Sequence, residues 1–187
     1  MDAETAGNNS GGTQLNEYIP YPARVLETRL LTPGNRHFVL QFKDQELRES
    51  FSFSAGQFVQ TSLLGIGEAP FAICSPPTQK GTFELCVRET GNVTRALHRL
   101  AKDETVWVRG PYGQGFPLAQ MAGQNLVFIA GGIGLSPPRS AIKCAVCLDN
   151  EFGRLTVLYG TKILDQLLFQ DEYDEWPQNC RLENTVA

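Results

Sequence analysis

The run Asn125–Ala130 (NLVFIA) is apolar without interruption from Leu126 and ends in Gly131-Gly132-Ile133-Gly134. A strand with one wet face would alternate. An unbroken run predicts a strand buried on both faces, as in a parallel sheet. Ser136-Pro137-Pro138 follows and opens a helix expected to reach about Leu148. Proline suits a first helical turn, where its missing N–H is not needed. A second buried strand is predicted at Leu155–Tyr159 and a second helix at Leu164–Trp176, and Arg181–Ala187 could begin a third strand. This β-α-β-α order predicts a parallel α/β unit over residues 123–187, roughly half of a six-stranded nucleotide-binding sheet.

Upstream the texture differs. Short runs rich in Val, Phe, Leu and Thr occupy Ala23–Leu31, His37–Phe42, Gln57–Leu63, Phe71–Ser75, Thr82–Arg88 and Thr105–Arg109. Turn residues part them at Pro33-Gly34-Asn35, Ala55-Gly56, Gly65-Ile66-Gly67, Lys80-Gly81 and Gly110-Pro111. That spacing predicts an antiparallel barrel or sandwich over residues 18–118. Val93–Ala101 breaks the pattern, with Val93, Leu97 and Leu100 at helical spacing. Residues 1–17 carry almost nothing apolar and are read as a disordered tail.

At roughly 150 residues per domain, a chain of 187 holds one complete domain but not two. Its net charge of −4 disfavours non-specific nucleic-acid binding, which needs clustered positive charge. No stretch approaches the roughly 18 apolar residues of a membrane span, and the N-terminus lacks the basic-then-apolar pattern of a secretory signal. Five cysteines at no evident disulfide spacing favour a reducing compartment, so a cytoplasmic location is expected.

Two segments suit an anion. At Gly131–Gly134, glycine lets a ligand approach the backbone, and the following helix offers unpaired N–H groups. The spacing is G-G-x-G rather than G-x-G-x-x-G, so on the motif alone a tight strand-to-helix turn without a ligand is an equal reading. Arg88-Glu89-Thr90-Gly91-Asn92-Val93-Thr94 joins a cation, a glycine and a hydroxyl at the start of a helix. Taken alone, it reads better as an N-cap made by Asn92 or Thr94. Cys144 and Cys147 have the spacing of half a metal site, but no second pair exists, and buried structural thiols are the better reading. Cys74, Cys86 and Cys180 are isolated, and His37 and His98 have no partner that spacing identifies. No metal site and no catalytic triad is assigned. Glu172, Asp174 and Glu175 read as a solvated helix face.

In order along the chain, Gly56–Ser75 (GQFVQTSLLGIGEAPFAICS), Val87–Leu100 (VRETGNVTRALHRL), Val108–Pro117 (VRGPYGQGFP) and Phe128–Ser140 (FIAGGIGLSPPRS) resemble the ferredoxin–NADP reductase superfamily. The likeness is to the branch holding sulfhydrogenase gamma subunits, the corresponding subunit of anaerobic sulfite reductase and the dihydroorotate dehydrogenase electron-transfer subunit. It implies a flavin-binding β-barrel followed by a partial NAD(P)-binding unit. Ala69-Pro70-Phe71-Ala72 would lie along the flavin. Ala69 stands where the wider superfamily has arginine, Phe71 where it has tyrosine, and Ala72 where it has serine. Cys86-Val87-Arg88 matches the next flavin contact. Gly91 to Thr94, including Val93, matches the flavin pyrophosphate contact, through backbone N–H groups and the Thr94 hydroxyl, and this overturns the capping preference. Gly131, Gly132 and Gly134 match the dinucleotide pyrophosphate turn, and Tyr159-Gly160-Thr161 the position near its ribose. Gly110-Pro111-Tyr112-Gly113 matches the hinge between the domains.

The resemblance implies an oxidoreductase subunit that passes electrons between NAD(P)H and an iron–sulfur partner subunit through FAD. The cofactors carry the chemistry, so no acid–base residue is named. A single-component NAD(P)H:ferredoxin-type reductase and a non-catalytic flavin-binding module are the alternatives. The family often ends in a cysteine cluster holding a 2Fe–2S centre. That centre is expected only in a longer form, and the chain reads as C-terminally truncated.

Overall fold

A computed structural model describes Asn16 and residues 18–147, 151–176 and 180–186. Apart from Asn16 and Tyr18 onward, the expected tail lies outside the described residues, as does Leu148.

Six antiparallel strands form the first sheet: β1 (Tyr21–Thr32), β2 (Asn35–Phe42), β3 (Phe58–Leu63), β4 (Gly67–Ala72), β5 (Phe83–Arg88) and β6 (Thr105–Tyr112), in the order β4-β3-β6-β1-β2-β5. The outer strands β4 and β5 meet through a bridge between Ile73 and Leu85, and the Cys74 N–H donates to the Glu84 carbonyl at 2.9 Å. The sheet therefore closes on itself and no long edge remains there. Alternation along the strands fills the interior: Phe38, Leu40 and Phe42 of β2 meet Phe83, Leu85 and Val87 of β5 in one buried cluster. Strand β4 starts and ends earlier than the sequence suggests, because Gly67–Ala69 pair with Thr61–Leu63 despite their poor strand propensity. A short helix α1 (Gln45–Ser50) was not anticipated. It has one buried apolar residue, Leu47, and its start is marked by Asp44, whose carboxylate accepts from the Leu47 N–H at 2.9 Å.

The second sheet is parallel, β7 (Leu126–Gly131), β8 (Leu155–Thr161) and β9 (Cys180–Val186), in the order β7-β8-β9. Helix α2 (Asn92–Leu97) lies in the barrel portion, and α3 (Ser136–Cys147) links β7 to β8. Two expectations fail here. Strand β7 is not buried on both faces: Val127 is 60% and Ile129 76% exposed. Helix α3 covers the face carrying Leu126 and Phe128, and no described element covers the other. The helix expected at Leu164–Trp176 is instead two 3-10 turns, Leu164–Gln166 and Gln170–Glu175. Between them Leu167, Leu168 and Phe169 are all buried, and Phe169 adopts a left-handed backbone at φ 56°. Three consecutive apolar residues cannot all face one core from a regular helix, so packing breaks it.

The two sheets share one buried cluster. Cys74 and Cys86 from the barrel pack with Leu135 and Ile142 around α3, Val157 and Tyr159 of β8, and Leu167–Phe169. No helix among the described residues is long and apolar enough to cross a membrane.

Candidate functional site

Two clefts meet at the junction of the sheets. The barrel-side cleft, about 480 Å³, is lined by Ala69, Pro70, Phe71 and Ala72 of β4, Cys86 and Arg88 of β5, Thr90 and Thr94, and by Ile133, Gly134, Ser136 and Pro137 from the glycine turn. The second, about 710 Å³, is lined by Gly131 and Gly132 at the end of β7, Gly160, Thr161 and Lys162 at the end of β8, and the Pro33–Asn35 hairpin. Arg88 and Ile133 line both. The barrel puts β4 beside β5, and the parallel register sets Gly131 opposite Gly160. Segments far apart in sequence therefore converge on one seam.

Most of the sequence-derived candidates come together there; Val87, Gly91, Val93 and Tyr159 line neither cleft. The Val87 side chain points into the barrel core, and its carbonyl lies 2.8 Å from His98 Nε2. Val93 packs against the same core. Tyr159 is wholly buried beneath the turn. Its hydroxyl donates to the Gly132 carbonyl at 3.0 Å and accepts from the Leu168 N–H at 3.3 Å. Burial pushes the Tyr159 phenol up, so it stays a neutral donor.

At the start of α2, capping and ligand access coexist. Gly91 is the N-cap, in extended backbone at φ −144°. The Thr94 hydroxyl accepts from the Gly91 N–H at 2.8 Å and the Thr90 N–H at 2.9 Å, so it is the capping group; Asn92 instead accepts from Arg95. The Asn92 and Val93 N–H groups stand at the first helical turn, where no intrahelical acceptor exists. The Thr161 hydroxyl is likewise committed, donating to the Ile163 carbonyl at 2.9 Å.

A Cβ built at Gly91, Gly132 or Gly134 meets no protein atom within 4 Å, and at Gly131 only the Gly160 carbonyl at 3.9 Å. Open space where a side chain would sit suits close approach of a ligand to the backbone. Arg88 is exposed and, among the described residues, has no ion-pair partner. A phosphate-bearing ligand fits these features.

The sequence reading missed one cluster. His37, Cys74 and Glu84 bring potential metal ligands within 4.8 Å of one another. The place of a cation there is taken by Arg139, whose Nη1 donates to Glu84 Oε2 at 2.8 Å. Glu172 is not on a solvated face. It is 9% exposed and accepts from Arg139 Nε at 2.8 Å, an interaction 33 residues away in the chain that no local pattern discloses.

Residues 22–116 match the Oxidoreductase FAD-binding domain family, and residues 128–186 the Oxidoreductase NAD-binding domain family. The chain belongs to this FAD- and NAD-binding oxidoreductase family. It is 40% identical over 158 residues to Sulfhydrogenase 2 subunit gamma of Pyrococcus furiosus, covering 84% of this chain and 54% of that protein. It is 31% identical over 123 residues to a probable dihydroorotate dehydrogenase B electron transfer subunit of Thermococcus kodakarensis, covering 66% and 48%. The chain thus spans about half the length of these relatives. Ferredoxin-NADP+ reductase from Plasmodium falciparum shares the fold, with a TM-score of 0.75 at 18% identity over 89% of this chain and 70% of that one. The closed barrel falls within the first matched region and the glycine turn within the second, and the two adjoin at the barrel-side cleft.

Proposed function

We propose that this chain is a flavoprotein electron-transfer subunit that passes electrons between NAD(P)H and an iron–sulfur partner subunit in the cytoplasm. The observation that carries the reading is the shared wall: the cleft beside Phe71 and Gly134 and the cleft beside Gly131 and Gly160 meet at Arg88 and Ile133. Two ligands held in adjoining clefts can be brought into contact, as direct hydride transfer needs. Bound FAD supplies the conversion between a two-electron hydride and single electrons.

The chain's own residues position and screen. Phe71 and Pro70 offer apolar surface for a ring system. Ala69 and Ala72 provide no charge and no side-chain hydrogen bond, so Arg88 and the amides at the start of α2 would hold the flavin phosphates. Gly131, Gly132 and Gly134 would admit the dinucleotide pyrophosphate, with Gly160 and Thr161 beside its ribose. The partner is inferred from the relatives, which are named as subunits of larger enzymes.

Absorbance of the purified protein tests the reading. A yellow protein bleached by NADH or NADPH is expected. A yellow protein that neither nucleotide bleaches would make it a flavin-binding module, and a colourless one that takes up no added FAD would overturn the flavin assignment.

A further inference from the structure

Arg139 lines neither cleft, yet it is 2% exposed and is held on every side. It projects from α3. Its Nη1 donates to the Cys74 carbonyl at 2.6 Å and to Glu84 Oε2 at 2.8 Å. Its Nε and Nη2 grip both oxygens of Glu172. Its guanidinium lies 4.2 Å from the centroid of the Phe169 ring, and the His37 ring stands nearly perpendicular to that ring, with centroids 5.5 Å apart. The next residue repeats the grip: the Ser140 hydroxyl donates to the Ser75 carbonyl at 2.6 Å. Consecutive residues of α3 thus hold consecutive carbonyls of the barrel.

Those carbonyls follow closely on β4, whose Ala69–Ala72 form one wall of the barrel-side cleft, and Glu84 precedes Cys86 of another wall by two residues. Helix α3 itself begins with Ser136 and Pro137 of the third wall. Arg139 sits behind all three. We propose that Arg139 is the positioning residue that fixes the glycine turn against the barrel cleft, and so sets how the nucleotide meets the flavin; this rests on the electron-transfer reading above.

The character of the cluster supports positioning over bulk stability. A buried ionic cluster is weak as a stabilising device, since apolar replacements of similar volume are often neutral or better. Four directional hydrogen bonds leave one planar group for the barrel and for the Gln170–Glu175 turn. They restrain orientation in a way apolar packing does not. Burial opposes the charge on Glu84, but the His37 hydrogen bond and Arg139 outweigh it and hold its pKa at about 2. The carboxylate anchor is thus ionised throughout the neutral range.

The test compares wild type with Arg139→Lys and with the doubly apolar Arg139→Met/Glu172→Leu, all loaded with FAD. Lysine keeps the charge but cannot make the planar fork. The double variant removes one buried cation and one buried anion together. In both, the rate of flavin reduction at saturating NAD(P)H should fall tenfold or more, while KM shifts less than threefold and reduction by dithionite is unchanged. Amide exchange at Cys74 and at Ser136 should quicken together. Wild-type reduction rates in either variant would overturn the proposal. If NAD(P)H fails to reduce the wild type, the electron-transfer reading falls, and exchange alone then judges Arg139: joint loss of protection at Cys74 and Ser136 supports its coupling role, and unchanged protection overturns it.

Discussion

Gly131 and Gly132 are neighbours in the same turn, but the structure separates why each is a glycine. Gly131 is extended at φ −132° and ψ 128°, a conformation any residue adopts, and a Cβ there meets only the Gly160 carbonyl at 3.9 Å. The fold does not require glycine at this place. Gly131→Ala should stabilise the chain by about 0.4–1 kcal/mol, because alanine lowers the entropy of the unfolded state. In a protein of this size that raises Tm by up to about 4 °C. The same methyl projects into the cleft assigned to the nucleotide. It should raise KM for NAD(P)H tenfold or more, a loss of about 1.4 kcal/mol, with flavin content unchanged. Gly132 is the internal control. Its φ of 51° is left-handed, so Gly132→Ala carries a strain of about 1–2 kcal/mol even with no clash. That variant should lower Tm as well as nucleotide affinity. Thermal unfolding, flavin absorbance and steady-state kinetics with ferricyanide as acceptor read all three quantities. A Gly131→Ala protein with raised Tm and unaltered KM would refute the assignment of this cleft to the nucleotide.

Other outcomes follow from single contacts. Tyr159→Phe leaves the Gly132 carbonyl without its donor and should cost about 0.5–1.5 kcal/mol of stability, with a several-fold rise in nucleotide KM, measured by denaturation and kinetics. Gly91→Val places a branched side chain where the protein leaves open space, so flavin occupancy should fall strongly; undiminished occupancy by absorbance would rule the site out. Glu84 is held at about 2 in the fold against an ordinary value of 4.5, so its contribution is complete above pH 4.5 and is lost as pH falls towards 2. Denaturation between pH 5 and 2 should show stability dropping by roughly 3 kcal/mol more than in Glu84→Gln, and equal slopes in the two proteins would contradict the cause.

What could be read from the chain was what depends on near neighbours. The runs His37–Phe42 and Leu155–Tyr159 were legible as strands, and in them Phe38, Leu40 and Phe42, and Leu155, Val157 and Tyr159, are buried. The glycine turn was legible because backbone freedom is written in residue type. Illegible features depend on distant partners. Glu172 sits among acidic residues that look solvated, and its burial is explained by Arg139 and Lys143, both distant in the chain. Leu167–Phe169 carry an apolar pattern compatible with helix, but the barrel's His37 and α3's Arg139 claim the Phe169 ring from outside the segment. The Pro33–Asn35 hairpin was evident as a turn, but not as a cleft wall. It becomes one because β2 pairs with β5 in the register Asn35 to Arg88.

The lining of the barrel-side cleft limits what this family member can do there. Among its described residues Arg88 alone carries a charge at neutral pH. The Cys86 thiol is pushed up by burial and stays protonated, and the Thr94 hydroxyl is spent on the cap of α2. Ser136 is buried, and its hydroxyl has no hydrogen-bond partner among the described residues. None of these groups exchanges a proton with a ligand near neutrality. A cleft so built offers a ligand an aromatic ring, backbone amides and one guanidinium. Electronic control of that ligand then falls to geometry: which face is covered by Phe71, and how near the glycine turn is held. Ala69 and Ala72 offer no polar side-chain group, so the proposed role of the α3 anchor is to set the position of the glycine turn beside this lining.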